Sequence, residues 1–121
     1  MKKQLLIIED QTSTRKLLSH YLGNFYDVIE KDNASDAINW LSEGNKPNAI
    51  IVDIIMPGMT GVEFLGELQN NNFDIPPVVM LSSVENSGEK MKCFNLGARD
   101  YIVKPFNPEE LRVRLNNVIR N

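Results

Sequence analysis

Short apolar runs alternate with stretches of helical period from one end of the chain to the other, and nothing else in the sequence narrows the fold as much. Residues 5–8, Leu-Leu-Ile-Ile, are continuously apolar, the pattern of a strand buried on both faces. Gln11-Thr12-Ser13-Thr14 follows, rich in helix-capping hydroxyls. It leads into Leu17, Leu18, Tyr21 and Leu22, spaced to share one helical face and stopped by Gly23-Asn24. Residues 26–30 read as a second, more polar strand suited to a sheet edge. Ala34, Ala37, Ile38 and Leu41 then keep i, i+3, i+4, i+7 spacing, and Gly44 with Pro47 closes this helix.

The third apolar run, residues 49–52, leads directly into Asp53. Residues 54–61 contain Pro57, Gly58 and Gly61 and form a loop. Thr60 or Gly61 opens a helix carrying Phe64, Leu65 and Leu68. Pro76-Pro77 starts a strand at 78–81 that ends at Ser82 and Ser83, and a helix over about 87–96 is stopped by Gly97. A short strand at 101–103 meets Lys104-Pro105. In the last helix Asn107 caps, Pro108 takes the first position, and Leu111, Leu115 and Val118 face inward.

Five strands alternating with five helices require parallel pairing, right-handed crossovers and helices on both faces of the sheet. The expected fold is therefore α/β: a five-stranded parallel sheet in the flavodoxin-like order 2-1-3-4-5. In that order, ligands bind at the carboxyl ends of the strands where the order reverses, between the first and third. Glu9, Asp10 and Asp53 fall there.

The 121 residues suit a single domain, expected over 1–121, with a core of its own. Net charge is −3 with no basic run, so direct binding of nucleic acid is not expected. The amino-terminal apolar stretch is broken by Glu9 and Asp10, too early for a secretion signal or a membrane span. One cysteine, Cys93, excludes an internal disulfide, so a cytoplasmic setting is expected.

Three acidic side chains at neighbouring strand ends repel one another. Two like charges about 4 Å apart cost roughly 4 kcal/mol at an effective dielectric near 20. A proton, a lysine or a metal must relieve this. An all-oxygen set from carboxylates suits Mg²⁺ or Mn²⁺ far better than zinc. Taken alone, Glu9 and Asp10 would be read as caps of the first helix, and Asp53 as a turn-initiating residue. Together, across the switch point, they favour a metal.

Four short motifs, each at a strand end, then occur in order: Glu9-Asp10, Asp53 with Met56-Pro57 and Gly61, Ser82, and Lys104-Pro105-Phe106. With them, the chain resembles the receiver domains of two-component response regulators along essentially its whole length. The resemblance implies that Asp53 accepts a phosphoryl group from a histidine kinase or histidine phosphotransfer protein, in the presence of Mg²⁺ or Mn²⁺. It implies that Asp10 ligates the metal directly, Glu9 through water, Asp53 through a carboxylate oxygen and Ile55 through its backbone carbonyl. Lys104 would pair with Asp53 or a phosphoryl oxygen, and its bond to Pro105 would be cis. Ser82 would donate its hydroxyl to the phosphoryl group, and Tyr101 would be the aromatic that turns inward as the serine moves. Glu9 stands where aspartate is frequent, and Thr60 where Asp or Asn is frequent.

The roles agree with elementary chemistry. A carboxylate attacking phosphorus gives an acyl phosphate, and anion meets anion, so positioning and charge neutralisation do most of the work. Ile55 and Val84, flanking the acceptor, carry no polar group to orient water, so slow loss of the phosphoryl group is expected. By family analogy, partners would bind the face of the fourth helix, fifth strand and fifth helix. The chain would act as a free-standing regulator or as a receiver excised from a longer protein, as a monomer or a phosphorylation-dependent dimer. Its only catalysis would be gain and loss of its own phosphoryl group.

Three rivals fit less well. A haloacid-dehalogenase-type phosphatase needs a second acid two residues after the nucleophile, where Ile55 stands. A flavin mononucleotide module would meet repulsion from Glu9 and Asp10 and lacks a glycine in Thr12-Ser13-Thr14. A pseudo-receiver that only docks partners would not need the full set of acids, hydroxyl and lysine. His20 reads as a surface residue, Cys93 as a helix residue without redox duty, Met56, Met59, Met80 and Met91 as packing, and Trp40 as the flank of an apolar stripe.

Overall fold

Helices and strands follow the apolar periodicities in the order expected. The computed structural model describes residues 2–71 and 74–120; Met1 and Asn121, the ends of the expected domain, lie outside them. The elements run β1 (Gln4–Ile8), α1 (Thr12–Leu22), β2 (Asp27–Lys31), α2 (Ala34–Ser42) and β3 (Ala49–Asp53). They continue with α3 (Gly61–Asn70), β4 (Val78–Ser82), α4 (Ser87–Asn95), β5 (Asp100–Val103) and α5 (Pro108–Arg120). All strand pairs are parallel, in the order β2-β1-β3-β4-β5, as the flavodoxin-like reading requires.

Side-chain alternation along the strands divides the core into two layers. Leu6, Ile8, Ile50, Val52, Val78 and Met80 pack with Ala37 and Leu41 of α2, Phe64 and Leu68 of α3, and Cys93 of α4. Their neighbours Leu5, Ile7, Ala49, Ile51, Val79 and Leu81 pack with Leu18 and Leu22 of α1 and Leu111 and Leu115 of α5. Fully burying one such side chain stabilises by roughly 1.5–3 kcal/mol. Losing either layer would therefore exceed the roughly 5–15 kcal/mol net stability of a domain. Helix α1 leaves β1 toward one layer and α3 leaves β3 toward the other, which opens the crevice between those two strand ends.

Several details depart from the sequence reading. Strand β2 begins at Asp27, whose N–H donates to the Lys3 carbonyl (2.9 Å), not at Tyr26, whose N–H still bonds the Leu22 carbonyl (2.9 Å). Strand β5 gains Asp100. Leu17 is 57% exposed; helix α1 packs through Leu18 and Leu22, one turn apart, and Leu17 is rotated about 100° off that line. The hydroxyls of Thr12, Ser13 and Thr14 do not cap α1, because they lie inside it: Gln11 is the cap residue and makes no side-chain capping bond. Met91 is 57% exposed on α4 and is not packing, unlike buried Met56 and Met80. Helix α3 does begin as expected, with Thr60 and Glu63 forming a reciprocal capping box.

Candidate functional site

Glu9 directly follows β1. Its N–H donates to the Lys31 carbonyl (3.1 Å), which extends the strand ladder by one residue and fixes where the side chain leaves the backbone. The carboxylate has no exposed surface. Its Oε2 accepts from the Gln11 N–H (3.3 Å) and its Oε1 from Lys104 Nζ (3.0 Å). Asp10, next along, is partly exposed. Arg15, one turn into α1, donates from Nη1 to the Glu9 carbonyl (2.9 Å) and pairs through Nε with Glu30 of β2 (3.1 Å). The acidic turn is thus tied to both its own helix and the sheet edge.

Asp53 ends β3 with 5% exposure. The next N–H, of Ile54, donates to the Leu81 carbonyl (2.9 Å), and the Gly61 N–H donates back to the Ile54 carbonyl (2.8 Å). The loop after Asp53 therefore folds over and returns to it. A Cβ at position 61 would collide with the Asp53 carbonyl oxygen, so only glycine permits this approach. Gly58, within the loop, has φ +79°, a left-handed turn that favours glycine.

The crevice brings together the residues singled out by the sequence. Oxygen atoms of Glu9, Asp10 and Asp53 lie within 4.8 Å of one another. Lys104 arrives from the end of β5, where its N–H donates to the Ser82 carbonyl (2.7 Å) and its bond to Pro105 is cis. Its ammonium pairs with Glu9 (3.0 Å) and with Asp53 Oδ2 (3.3 Å). It is no solvated surface lysine: 19% of its side chain is exposed. Burial alone would lower its pKa, but the bonds and charges of Glu9 and Asp53 outweigh burial and hold it above the ordinary lysine value. Asp10 is pushed up from the ordinary aspartate value, first by burial and then by its contact with the Glu9 carboxyl. Three carboxylates face one ammonium, which leaves room for a cation bound by oxygen ligands.

Ser82 and Tyr101 lie beside this cluster, on the α4 side. Ser82 shares the strand parity of Val78 and Met80, so its side chain faces the layer that contains α4. Its hydroxyl lies 2.9 Å from the Val84 carbonyl and 3.3 Å from Glu89 Oε1, and accepts from the Val84 N–H (3.2 Å). Tyr101 is turned inward, with 4% exposure. Its hydroxyl lies 2.6 Å from Glu89 Oε1 and 3.1 Å from the Val84 carbonyl. Burial, reinforced by the bond to Glu89, pushes its pKa up to about 12. Ile55 and Val84, which follow Asp53 and Ser82 by two residues, are 63% and 50% exposed.

Sequence reasoning missed Arg15 and Glu89. The signal for Glu89 was present: it stands three residues after Asn86, which caps α4 through the Glu89 N–H (2.9 Å), and so lies in the turn facing the end of β4. Arg15 stands one turn past the acidic pair. His20 is exposed, as expected; Cys93 lies in α4, as expected, and is buried there, with burial raising the thiol pKa. Trp40 is partly buried against the core.

The model of the response regulator receiver domain matches residues 5–116. The chain is 33% identical over 123 residues to the phosphate regulon transcriptional regulatory protein PhoB of Escherichia coli, covering 99% of this chain and 53% of that protein. It is 35% identical over 121 residues to histidine kinase P4 of Formosa agariphila, covering 99% of this chain and 9% of the kinase. The chain thus spans about half the length of the regulator and a small part of the kinase. Among solved structures, the chemotaxis protein CheY4 of Vibrio cholerae superimposes with a TM-score of 0.87 at 30% identity, covering 98% of this chain and 99% of that one.

Proposed function

The chain belongs to the response regulator receiver domains, and on that footing we propose that Asp53 accepts a phosphoryl group from the phosphohistidine of a histidine kinase or histidine phosphotransfer protein. The observation that carries this is the Lys104 ammonium, held between the buried carboxylates of Glu9 and Asp53. In the reaction a carboxylate oxygen of Asp53 attacks phosphorus, the phosphorus–nitrogen bond breaks, and the leaving imidazole nitrogen takes up a proton from solvent.

Each neighbouring residue supports one part of that transfer. The bond from the Ile54 N–H to Leu81 and the bond from the Gly61 N–H back to Ile54 hold the backbone at Asp53, so that approach is a matter of orientation more than rearrangement. Lys104 offsets the charge gathered when an anionic phosphoryl group meets a carboxylate. Ser82 would donate its hydroxyl to a phosphoryl oxygen, giving up its bonds to Val84 and Glu89. Glu9, Asp10, Asp53 and the backbone carbonyl of Ile55 would hold Mg²⁺ or Mn²⁺, and the all-oxygen donor set fits such an ion. When bound, the ion supplies neutralisation of the phosphoryl oxygens.

The chain would catalyse only the gain and loss of its own phosphoryl group, with the apolar rim of Ile55 and Val84 leaving attacking water without an orienting partner. Phosphorylation would shift a population between two arrangements that differ at Ser82 and Tyr101. The face of α4, β5 and α5 would carry the change to an output partner or output domain, in a monomer or a phosphorylation-dependent dimer. The receiver unit would span 1–121 and work in the cytoplasm; among the described residues no helix is long and apolar enough to cross a membrane.

Beryllofluoride, a phosphoryl mimic, tests the acceptor assignment. With Mg²⁺ present it should shift the amide resonances of Asp53, Ile54 and Ser82 in the wild type and leave Asp53→Ala unchanged. Identical spectra in the two proteins would refute the assignment.

A further inference from the structure

Both backbone polar groups of Glu9 are held from β2, the edge strand. The N–H donates to the Lys31 carbonyl (3.1 Å). The carbonyl accepts from Arg15 Nη1 (2.9 Å), and Nε of the same guanidinium pairs with Glu30 Oε1 (3.1 Å). Adjacent residues of one strand therefore grip the two sides of Glu9, directly on one side and through Arg15 on the other. Arg15 Nη1 also lies 3.5 Å from the Asp10 carbonyl, so the guanidinium spans the turn from which the carboxylates of Glu9 and Asp10 project.

This differs from an ordinary surface ion pair. The Arg15 side chain is 13% exposed, against 64% for Lys16, which reaches the same Glu30 oxygen at 3.3 Å. Burial alone would raise the Glu30 pKa, but hydrogen bonds and charge from its neighbours, Lys16 and Arg15 among them, hold it below the ordinary glutamate value. Glu30 is therefore charged at neutral pH and fixes the orientation of the guanidinium. The Arg15 N–H donates to the Gln11 carbonyl (2.9 Å), so the side chain departs from a formed turn of α1.

A guanidinium beside two metal-ligand candidates acts on a divalent cation in two opposite ways. Its charge repels the cation and weakens binding. Its bonds fix the backbone that carries the ligands before the ion arrives, which spares the cost of ordering it and strengthens binding. Glu30, 3.1 Å from Nε, offsets the charge but not the positioning, so positioning dominates. We propose that Arg15 is a positioning residue for the cation: anchored on Glu30, it presets the turn of Glu9 and Asp10, and the ion binds more tightly because of it. The proposal rests on the metal reading above and adds how the ligands are aimed.

The test titrates the full chain with Mg²⁺ alone and follows the amide resonances of Asp10, Gln11 and Ile54, well below the melting temperature of each variant. In Arg15→Gln the affinity should fall about tenfold or more, the usual loss when a group that orients a metal ligand is removed. Arg15→Lys keeps the charge but not the fixed fork that engages two acceptors, so its affinity should lie between those of wild type and Arg15→Gln. Glu30→Gln should weaken binding by less than Arg15→Gln, and the double variant should bind no more weakly than Arg15→Gln. Val118→Ala, in α5 and packed in the other part of the core, controls for lost stability and should bind Mg²⁺ as wild type does. Unchanged or tighter binding in Arg15→Gln would overturn the proposal, tighter binding being the sign of repulsion alone. Wild-type affinity in Arg15→Lys, additive losses in the double variant, or an equal loss in Val118→Ala would overturn it as well. A wild type whose resonances do not respond to Mg²⁺ would instead defeat the metal reading itself, so the two failures are distinct.

Discussion

Lys104 Nζ sits 3.0 Å from Oε1 of Glu9, a carboxylate with no solvent exposure, although 95 residues separate the two along the chain. The contact joins the ends of β1 and β5 over the end of β3, and charge balance in the crevice depends on it. Lys104→Met keeps much of the side chain's bulk and removes the charge, leaving Glu9 buried without its cation. Stability in urea at neutral pH should fall by about 3 kcal/mol, the cost of breaking one partner out of a buried pair. A loss below about 1 kcal/mol would show that the carboxylates do not need the lysine.

Asp10→Asn should act in the opposite direction when no divalent ion is present. Burial and the neighbouring Glu9 carboxyl already push the Asp10 pKa up, so the charged form is disfavoured in the fold. Removing that charge should stabilise by on the order of 1 kcal/mol. Adding Mg²⁺ should raise the melting temperature of the wild type and much less that of the variant. Equal shifts in both proteins would remove Asp10 from the ligand set.

Gly61→Ala should harm the site through the backbone. The new Cβ would meet the Asp53 carbonyl and the Ile54 Cα, and an overpacked contact of this kind costs about 1–3 kcal/mol. Because the collision is at Asp53 itself, beryllofluoride affinity should fall along with stability. Unchanged affinity would mean that the loop after β3 does not position the acceptor.

Tyr101 gives a pH signature. Its folded-state pKa is about 12, raised by burial and then by Glu89, against about 10 in an unfolded chain. A raised pKa contributes stability that is fully present below the unfolded value and is lost as pH rises through the folded one. Stability should therefore decline between about pH 10 and 12 through this residue. The difference in phenolate absorbance between wild type and Tyr101→Phe reads it directly. Glu89→Gln should move the Tyr101 step toward lower pH; a step that stays in place would leave burial as the only cause.

Most of the fold was legible because it rests on local periodicities that the sequence displays without interference. The runs around Ile7, Ile51 and Val79 are apolar at every position, and only a parallel sheet covered on both faces buries such strands. The acids, serine and lysine were legible because each stands at a strand end, where topology decides proximity. Leu17 was misread because spacing alone cannot say which of two adjacent leucines faces the sheet. Glu89 was missed because its contacts depend on where α4 sits over β4, a tertiary fact with no sequence period. The inward position of Tyr101 likewise depends on Glu89 and Val84, residues 12 and 17 positions away.

The apolar rim predicts a long-lived acyl phosphate. Val84→Glu or Ile55→Asn would place a polar group where water must approach, and each should speed loss of the phosphoryl group by less than the roughly 100-fold of a well-placed general base. Phosphate release followed after removal of the donor measures this. Unchanged rates in both variants would show that the rim does not control hydrolysis.

Intact-mass measurement after incubation with acetyl phosphate and Mg²⁺ bears most directly on the central claim. Wild type should gain the mass of one phosphoryl group, in a form cleaved by hydroxylamine as acyl phosphates are, while Asp53→Ala gains nothing and chelation of the metal abolishes the gain. Equal modification of the wild type and Asp53→Ala, or none in the wild type, would contradict it.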